Sequence, residues 1–238
     1  MQIVETAVPG ALLVTPEKLS DERGSFYESM RVDLLADALG HAFEPRQINF
    51  SVSRRNTLRG IHSVADPPGQ QKYVTCVRGA VQDIVVDLRV GRPTFGRYAS
   101  NLLDADSGRC VYVPQGVGHG FLAMTDDACI CYVLSSVHVP GTQIDINPFD
   151  EDLALPWDVR EPPLVSAKDT RAPTAAAAIS AGILAEGAGT RLTSYPIRAS
   201  RTTEHAPVRP IGEETACSTT YQTSTGGSTS AAGHISTK

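Results

Sequence analysis

The residues best suited to chemistry lie between Gln47 and Asp87, around the pentapeptide Leu58-Arg59-Gly60-Ile61-His62. A histidine ordinarily titrates near neutrality and suits proton abstraction, while an arginine and a lysine close by suit an anionic substrate. Arg59, His62 and Lys72 stand among residues that alternate polar and apolar, so a base and two cations share one small sheet. That grouping points to a site where a proton is removed from something anionic. Alone on a strand, His62 would read as a structural histidine and Lys72 as a solvated one. Their company favours the chemical reading.

The elements that must position these residues are short strands. Segments near 47–54, 58–64, 71–78, 80–88, 95–103, 109–114, 118–125 and 128–136 alternate with period two, separated by Pro-Pro-Gly, Gly-Arg-Pro, Asp-Ser-Gly and Pro-Gln-Gly punctuation. Two apolar runs joined by Pro9-Gly10 predict an opening hairpin. Helical spacing over 31–40, ending in Gly40, predicts one short helix. Many short strands with little helix between them predict an all-β, antiparallel jelly-roll barrel with a few short peripheral helices. After Pro140 the chain reads as irregular and proline-rich, followed by a helical pattern from Thr174 to near Gly187. Residues 1–187 are expected to form the domain. Residues 188–238, rich in Ser, Thr, Gly and Ala, are expected to be a low-complexity, disordered tail.

Composition narrows the function classes. A formal net charge of -5 over 238 residues leaves no global field for nucleic acid, so an anionic ligand must be held by local arginines. No apolar run approaches the about 20 residues of a membrane span. The N-terminus has no signal-peptide pattern, and the five cysteines are odd in number. A cytoplasmic protein with reduced thiols is expected.

Further motifs extend the site. In Asp21-Glu22-Arg23-Gly24-Ser25-Phe26-Tyr27-Glu28, the plain reading is a polar turn before an edge strand, with Gly24 supplying positive φ. The sharper reading is a rim where an arginine clamps phosphate and an aromatic stacks a base. Asp169, in a Lys-Asp-Thr turn, could cap the following helix. Asp83 and Asp87 share a strand face, where either could orient His62 or Lys72. His119 with His62 could suggest a metal pair, but LRGIHSVADPP has no second histidine and no nearby Glu. His119 is therefore read as a structural or supporting site residue. Cys129 and Cys131, two apart, lack further thiolate-site ligands and read as small buried hydrophobes, as do Cys76 and Cys110.

The motifs DERGSFYE, QINFSVS, LRGIH, QKYVTCVRGAVQDIVVDLRVGRPTFG, VPQGVGHGF and SAKD, with Tyr132, occur in an order and spacing that resemble the dTDP-4-dehydrorhamnose 3,5-epimerase family. The resemblance covers roughly residues 1–185 and implies a cupin-type jelly roll with no metal and no other cofactor. It implies His62 as base, Asp169 as its orienting carboxylate, Tyr132 as acid on the opposite face and Lys72 as stabiliser of the enolate oxygen. It implies nucleotide and pyrophosphate contacts from Arg23, Phe26, Glu28, Gln47, Asn49, Arg59 and Lys168, with His119 and His138 also lining the substrate site. The DERG-Phe segment is expected to reach the site of a neighbouring subunit, hence a homodimer.

Two departures concern the pocket wall. His138 stands before Pro140 where the family usually carries a second tyrosine, and Ser63-Val64-Ala65 follows LRGIH where a bulkier or more polar residue is common. They leave open inversion at C3, C5 or both, and with the Ala-rich C-terminal region they point to an antibiotic-sugar enzyme of actinobacterial type. The alternatives are a 3,4-ketoisomerase of the same fold, a metal-dependent cupin oxygenase, and a non-catalytic sugar-nucleotide-binding protein.

Overall fold

The computed structural model describes residues 1–184. The expected boundary near residue 187 and the expected tail 188–238 lie outside the described residues.

Two antiparallel sheets form the jelly roll. One has the strand order β1 (Gln2–Glu5), β2 (Leu12–Thr15), β10 (Cys110–Val113), β7 (Lys72–Arg78), β12 (Ala128–Leu134), β5 (Gln47–Ser53). The other runs β13 (Gln143–Asp145), β6 (Thr57–Val64), β11 (Val117–Ala123), β8 (Ala80–Asp87), β9 (Tyr98–Asp104), with β14 (Leu164–Val165) added in parallel to β6. A hairpin of β3 (Leu19–Asp21) and β4 (Gly24–Phe26) stands apart from both. Alternation drives this arrangement: Val74, Val111 and Ile130 from one sheet meet Val81, Val85 and Phe121 from the other in a fully buried cluster.

The strands expected from period-two patterning and the opening hairpin are all present. The segment after Pro140 is largely irregular, as expected, but adds the short strands β13 and β14 beside β6 and then folds back over the outer face of the second sheet. Ile146, Leu153, Ala175 and Ala178 pack there on Ile61, Val86 and Leu88. This second cover leaves all seven residues of β11 buried. Helix α1 (Val32–Leu39) ends at Gly40 in the left-handed region and buries Leu35 beside Phe43 and Tyr112. Two further short helices are α2 (Ala167–Thr170) and α3 (Ala175–Ser180), the latter shorter than the Thr174–Gly187 pattern predicts. Among the described residues no helix is long and apolar enough to cross a membrane.

The cysteine expectation needs correction in part. Cys76 and Cys110 are buried, but Cys129 and Cys131 are only half-buried. They project from the outer face of β12 beside edge strand β5, a face that no described element covers in full.

Candidate active site

Glycine pairing brings β6 and β11 unusually close beneath the site. Gly60 has φ +124, and a Cβ there would meet Gly120 Cα at 2.6 Å and the His119 carbonyl oxygen at 2.9 Å. Gly120 is equally committed, since its Cβ would lie 2.8 Å from the Arg59 carbonyl oxygen. The two glycines let the strand carrying Arg59 and His62 press on the strand carrying His119, which stands opposite His62 in register.

Above this contact lies a cavity of about 600 Å³ between the sheets, lined by His62, Lys72, His119 and Tyr132 among others. His62 and Arg59 enter from the second sheet, while Lys72 and Tyr132 enter from the first, so the histidine and the two cations do not share one sheet as expected: β6 and β7, consecutive in the chain, cross between sheets. Imidazole and phenol therefore face each other across the cavity.

The His62 Nε2–H donates to Asp169 Oδ1 at 2.8 Å. The carboxylate can only accept, so in the neutral ring Nδ1 keeps the lone pair able to take a proton. Asp169 is delivered by α2, whose N-cap is Ser166: the Ser166 hydroxyl receives the Asp169 amide at 3.0 Å. The capping role considered for Asp169 thus belongs to Ser166 here and to Thr174 in α3. Burial alone would raise the Asp169 carboxyl, but the hydrogen bond and charge of His62, with Ser166 and the Gly60 amide, hold it below the ordinary value.

Lys72 is buried, and its ammonium donates to the His62 carbonyl oxygen at 3.4 Å. Desolvation pulls its pKa down to about 8, opposed by the negative charge of Asp83. Tyr132 is pushed up to about 12 chiefly by burial, with a counteracting contact to the Ser51 hydroxyl 3.4 Å away. It is therefore a phenol able to give a proton throughout the neutral range. Its ring meets His119 edge to face at 6.0 Å between centroids.

Asp83 and Asp87 orient neither His62 nor Lys72 by direct hydrogen bonding. Asp83 Oδ2 accepts from His119 Nε2 at 2.5 Å, and Asp87 pairs with Arg89 at 2.6 Å. Strand direction is the reason: Asp83 faces His119 one strand over, whereas Asp87 lies at the far end of β8 against the Arg89 turn. The two histidines that might have shared a metal are thus committed to different carboxylates. His62, Asp145 and Asp169 could gather around a cation, but the Lys168 ammonium already sits 3.0 Å from Asp145.

Gln47 and Asn49 line the same cavity, joined by a hydrogen bond from Gln47 Nε2 to Asn49 Oδ1 at 2.8 Å. The His138 amide donates to Gln47 Oε1 at 2.9 Å, which fixes the 134–142 loop to β5. Arg59 also lines the cavity, with its guanidinium Nε donating to Ser53 Oγ at 3.0 Å. Lys168 lies instead at a smaller cavity of about 330 Å³ shared with Arg59, His62 and Asp169. Ser63 reaches the main cavity, but its hydroxyl donates to the Val117 carbonyl oxygen at 3.3 Å.

Arg23, Phe26 and Glu28 are absent from the lining of this chain's cavity. Arg23 is bound to Asp21 on the β3–β4 hairpin and is 90% exposed, Phe26 is 68% exposed, and Glu28 pairs with Arg31. Residues that the sequence reading missed are Ser51, legible from its place with Gln47 and Asn49 on one face of β5, and Asp145. Nothing local in the sequence marks Asp145. Only the pairing of β13 with β6 brings it to His62.

A jelly roll holding an imidazole–carboxylate pair opposite a half-buried phenol and a buried lysine is the kind of site that suits an isomerase working by proton transfer. The profile of the family described as dTDP-4-dehydrorhamnose 3,5-epimerase matches residues 5–177, and the chain belongs to that family. A dTDP-4-dehydrorhamnose 3-epimerase of Streptomyces niveus is 44% identical over 196 residues, covering 82% of this chain and 94% of the relative. Among solved structures, a 4-keto-6-deoxy sugar epimerase from the novobiocin biosynthetic gene cluster of Streptomyces spheroides superposes with a TM-score of 0.76 at 45% identity, covering 79% of this chain and 94% of that one. A 3'-monoepimerase from Streptomyces bikiniensis, solved in complex with dTDP-quinovose, has a TM-score of 0.73 at 42% identity, covering 78% and 93%.

Proposed function

We propose that this protein epimerises a dTDP-4-keto-6-deoxyhexose at C3, C5 or both, in deoxysugar biosynthesis for an antibiotic. The carrying observation is that His62, oriented through Nε2 by Asp169, faces Tyr132 across the cavity with Lys72 buried between the sheets. The 4-keto group acidifies the neighbouring C–H bonds. His62 Nδ1 takes the proton, the C–H electron pair enters the ring as an enolate, and the charge arriving at O4 is met by Lys72. Such preorganised stabilisation is commonly the largest catalytic contribution. Tyr132 returns a proton from the opposite face, which inverts the carbon without any change of oxidation state.

Arg59, Gln47 and Asn49 would hold the nucleotide and pyrophosphate in the same cavity, with His138 at its rim. The homodimer is the favoured assembly. Ile48, Phe50 and Val52 on edge strand β5 are 59%, 64% and 53% exposed, an apolar row that a second copy would cover. Arg23 and Phe26, away from their own cavity, would then serve the neighbouring subunit's site. Four free cysteines among the described residues favour a cytoplasmic, reducing setting.

NMR of the keto-sugar nucleotide incubated with the enzyme in deuterated water tests this reading. Label at C3, C5 or both, with the ketone still at C4, is expected. Migration of the carbonyl to C3 would make the protein a ketoisomerase, and activity abolished by chelation with stoichiometric iron in the purified protein would make it a cupin oxygenase.

A further inference from the structure

Behind His62 stands a second carboxylate that the proposed chemistry does not use. Asp145 on β13 is the register partner of His62 on β6, and its Oδ1 lies 3.6 Å from His62 Nε2. The same oxygen accepts from Gln143 Nε2 at 2.7 Å and from the Lys168 ammonium at 3.0 Å. Lys168 and Asp169 are neighbours on α2, so one turn of helix serves the imidazole twice, directly through Asp169 and indirectly through the counter-charge on Asp145.

We propose that Asp145 and Lys168 form a compensating ion pair that sets the base strength of His62. Asp145 is a positioning residue, and Lys168 tunes the negative charge it presents. The inference rests on His62 being the base. A base that must both take and release a proton cannot be faced by two uncompensated carboxylates, because the imidazolium would then be held too firmly. Lys168 cancels one of them. The other groups around the ring are Lys72 on β7, which contacts its backbone carbonyl, His119 opposite it on β11, and Arg59 three residues earlier on β6. None of these contacts Nε2. Asp145 and Lys168 therefore act at that atom from elements outside the substrate cavity, and Lys168 is 55% exposed at the smaller one.

The test compares full-length Asp145→Asn, Lys168→Met and the double variant by two readouts: the pH profile of kcat/KM in the exchange assay, and the NMR titration of the His62 ring carbon without substrate. Activity requires the unprotonated imidazole, so it is lost on the acidic side. Removing the Asp145 charge should move that acidic limb to lower pH, removing Lys168 should move it to higher pH, each by about one pH unit, and the double variant should return near wild type. Equal losses of activity with an unmoved limb and an unmoved NMR titration would overturn the proposal. So would a raised KM for Lys168→Met with both readouts unmoved, since Lys168 would then be only a phosphate contact. If the NMR titration moves in the opposite directions expected while the kinetic limb stays, the ion pair stands and the assignment of His62 as base falls.

Discussion

The Lys72 ammonium donates to the backbone carbonyl of His62 at 3.4 Å, which ties the buried lysine of one sheet to the strand of the other sheet that carries the histidine. On the proposed mechanism, in which Lys72 meets the enolate charge, burial makes its charge state a variable of the reaction.

Lys72 has its pKa pulled to about 8 by burial, so kcat/KM should fall as pH rises through about 8 and the stabilising cation is lost. Asp83 supports the charge, and Asp83→Asn should move this descending limb to lower pH. A pH–rate profile of both proteins checks the direction.

The same burial makes Lys72 costly to the fold. Its folded pKa of about 8 lies below the ordinary 10.5, so the penalty is fully present below about pH 8 and gone above 10.5. Lys72→Met should raise stability by about 1–3 kcal/mol at pH 7 while slowing turnover by at least about a hundredfold. Denaturant unfolding at pH 7 and pH 10.5 should show the gain shrinking at the higher pH.

Tyr132→Phe should separate the two half-reactions. With His62 and Asp169 intact, deuterium exchange into the substrate should persist, while formation of the epimer falls by about 10²–10⁴-fold. Loss of exchange together with inversion would show that Tyr132 is needed before the enolate forms.

Gly60→Ala should destabilise the protein strongly, since the added methyl would sit 2.6 Å from Gly120 Cα with the backbone already at φ +124. A loss of about 2–4 kcal/mol is expected in thermal unfolding, the size of a backbone clash combined with left-handed strain.

Phe50→Asp places a charge in the exposed apolar row of β5. If the proposed dimer forms through this row, sedimentation should show a dimer for the unaltered protein and a monomer for the variant, and KM for the nucleotide sugar should rise. Arg23→Ala should raise KM as well while leaving sedimentation as in the unaltered protein.

The strands were legible because alternation and Gly/Pro punctuation are local signals, and for that reason their limits fall within a few residues of those expected. The region after Pro140 was legible as irregular and as part of the domain, but not where it packs. Ile146, Leu153 and Ala178 are buried by a sheet face contributed by Ile61, Val86 and Leu88, far away in the chain. Cys129 and Cys131 were misread for a related reason: alternation shows that they share a face but not whether anything covers it.

By itself, the sequence determined the class of fold and, through the order and spacing of its motifs, the family; His62, Lys72, Tyr132 and Asp169 became candidates because that resemblance points to them. The tertiary structure alone decided who meets whom. His62 reaches an aspartate 107 residues away, Asp83 turns to His119, and Asp145 arrives behind the base through the register of β13 on β6. Those pairings depend on sheet order and helix placement, which no local pattern encodes, and they give a set of reactive side chains the fixed positions on which the proposed base, acid and stabiliser roles rest.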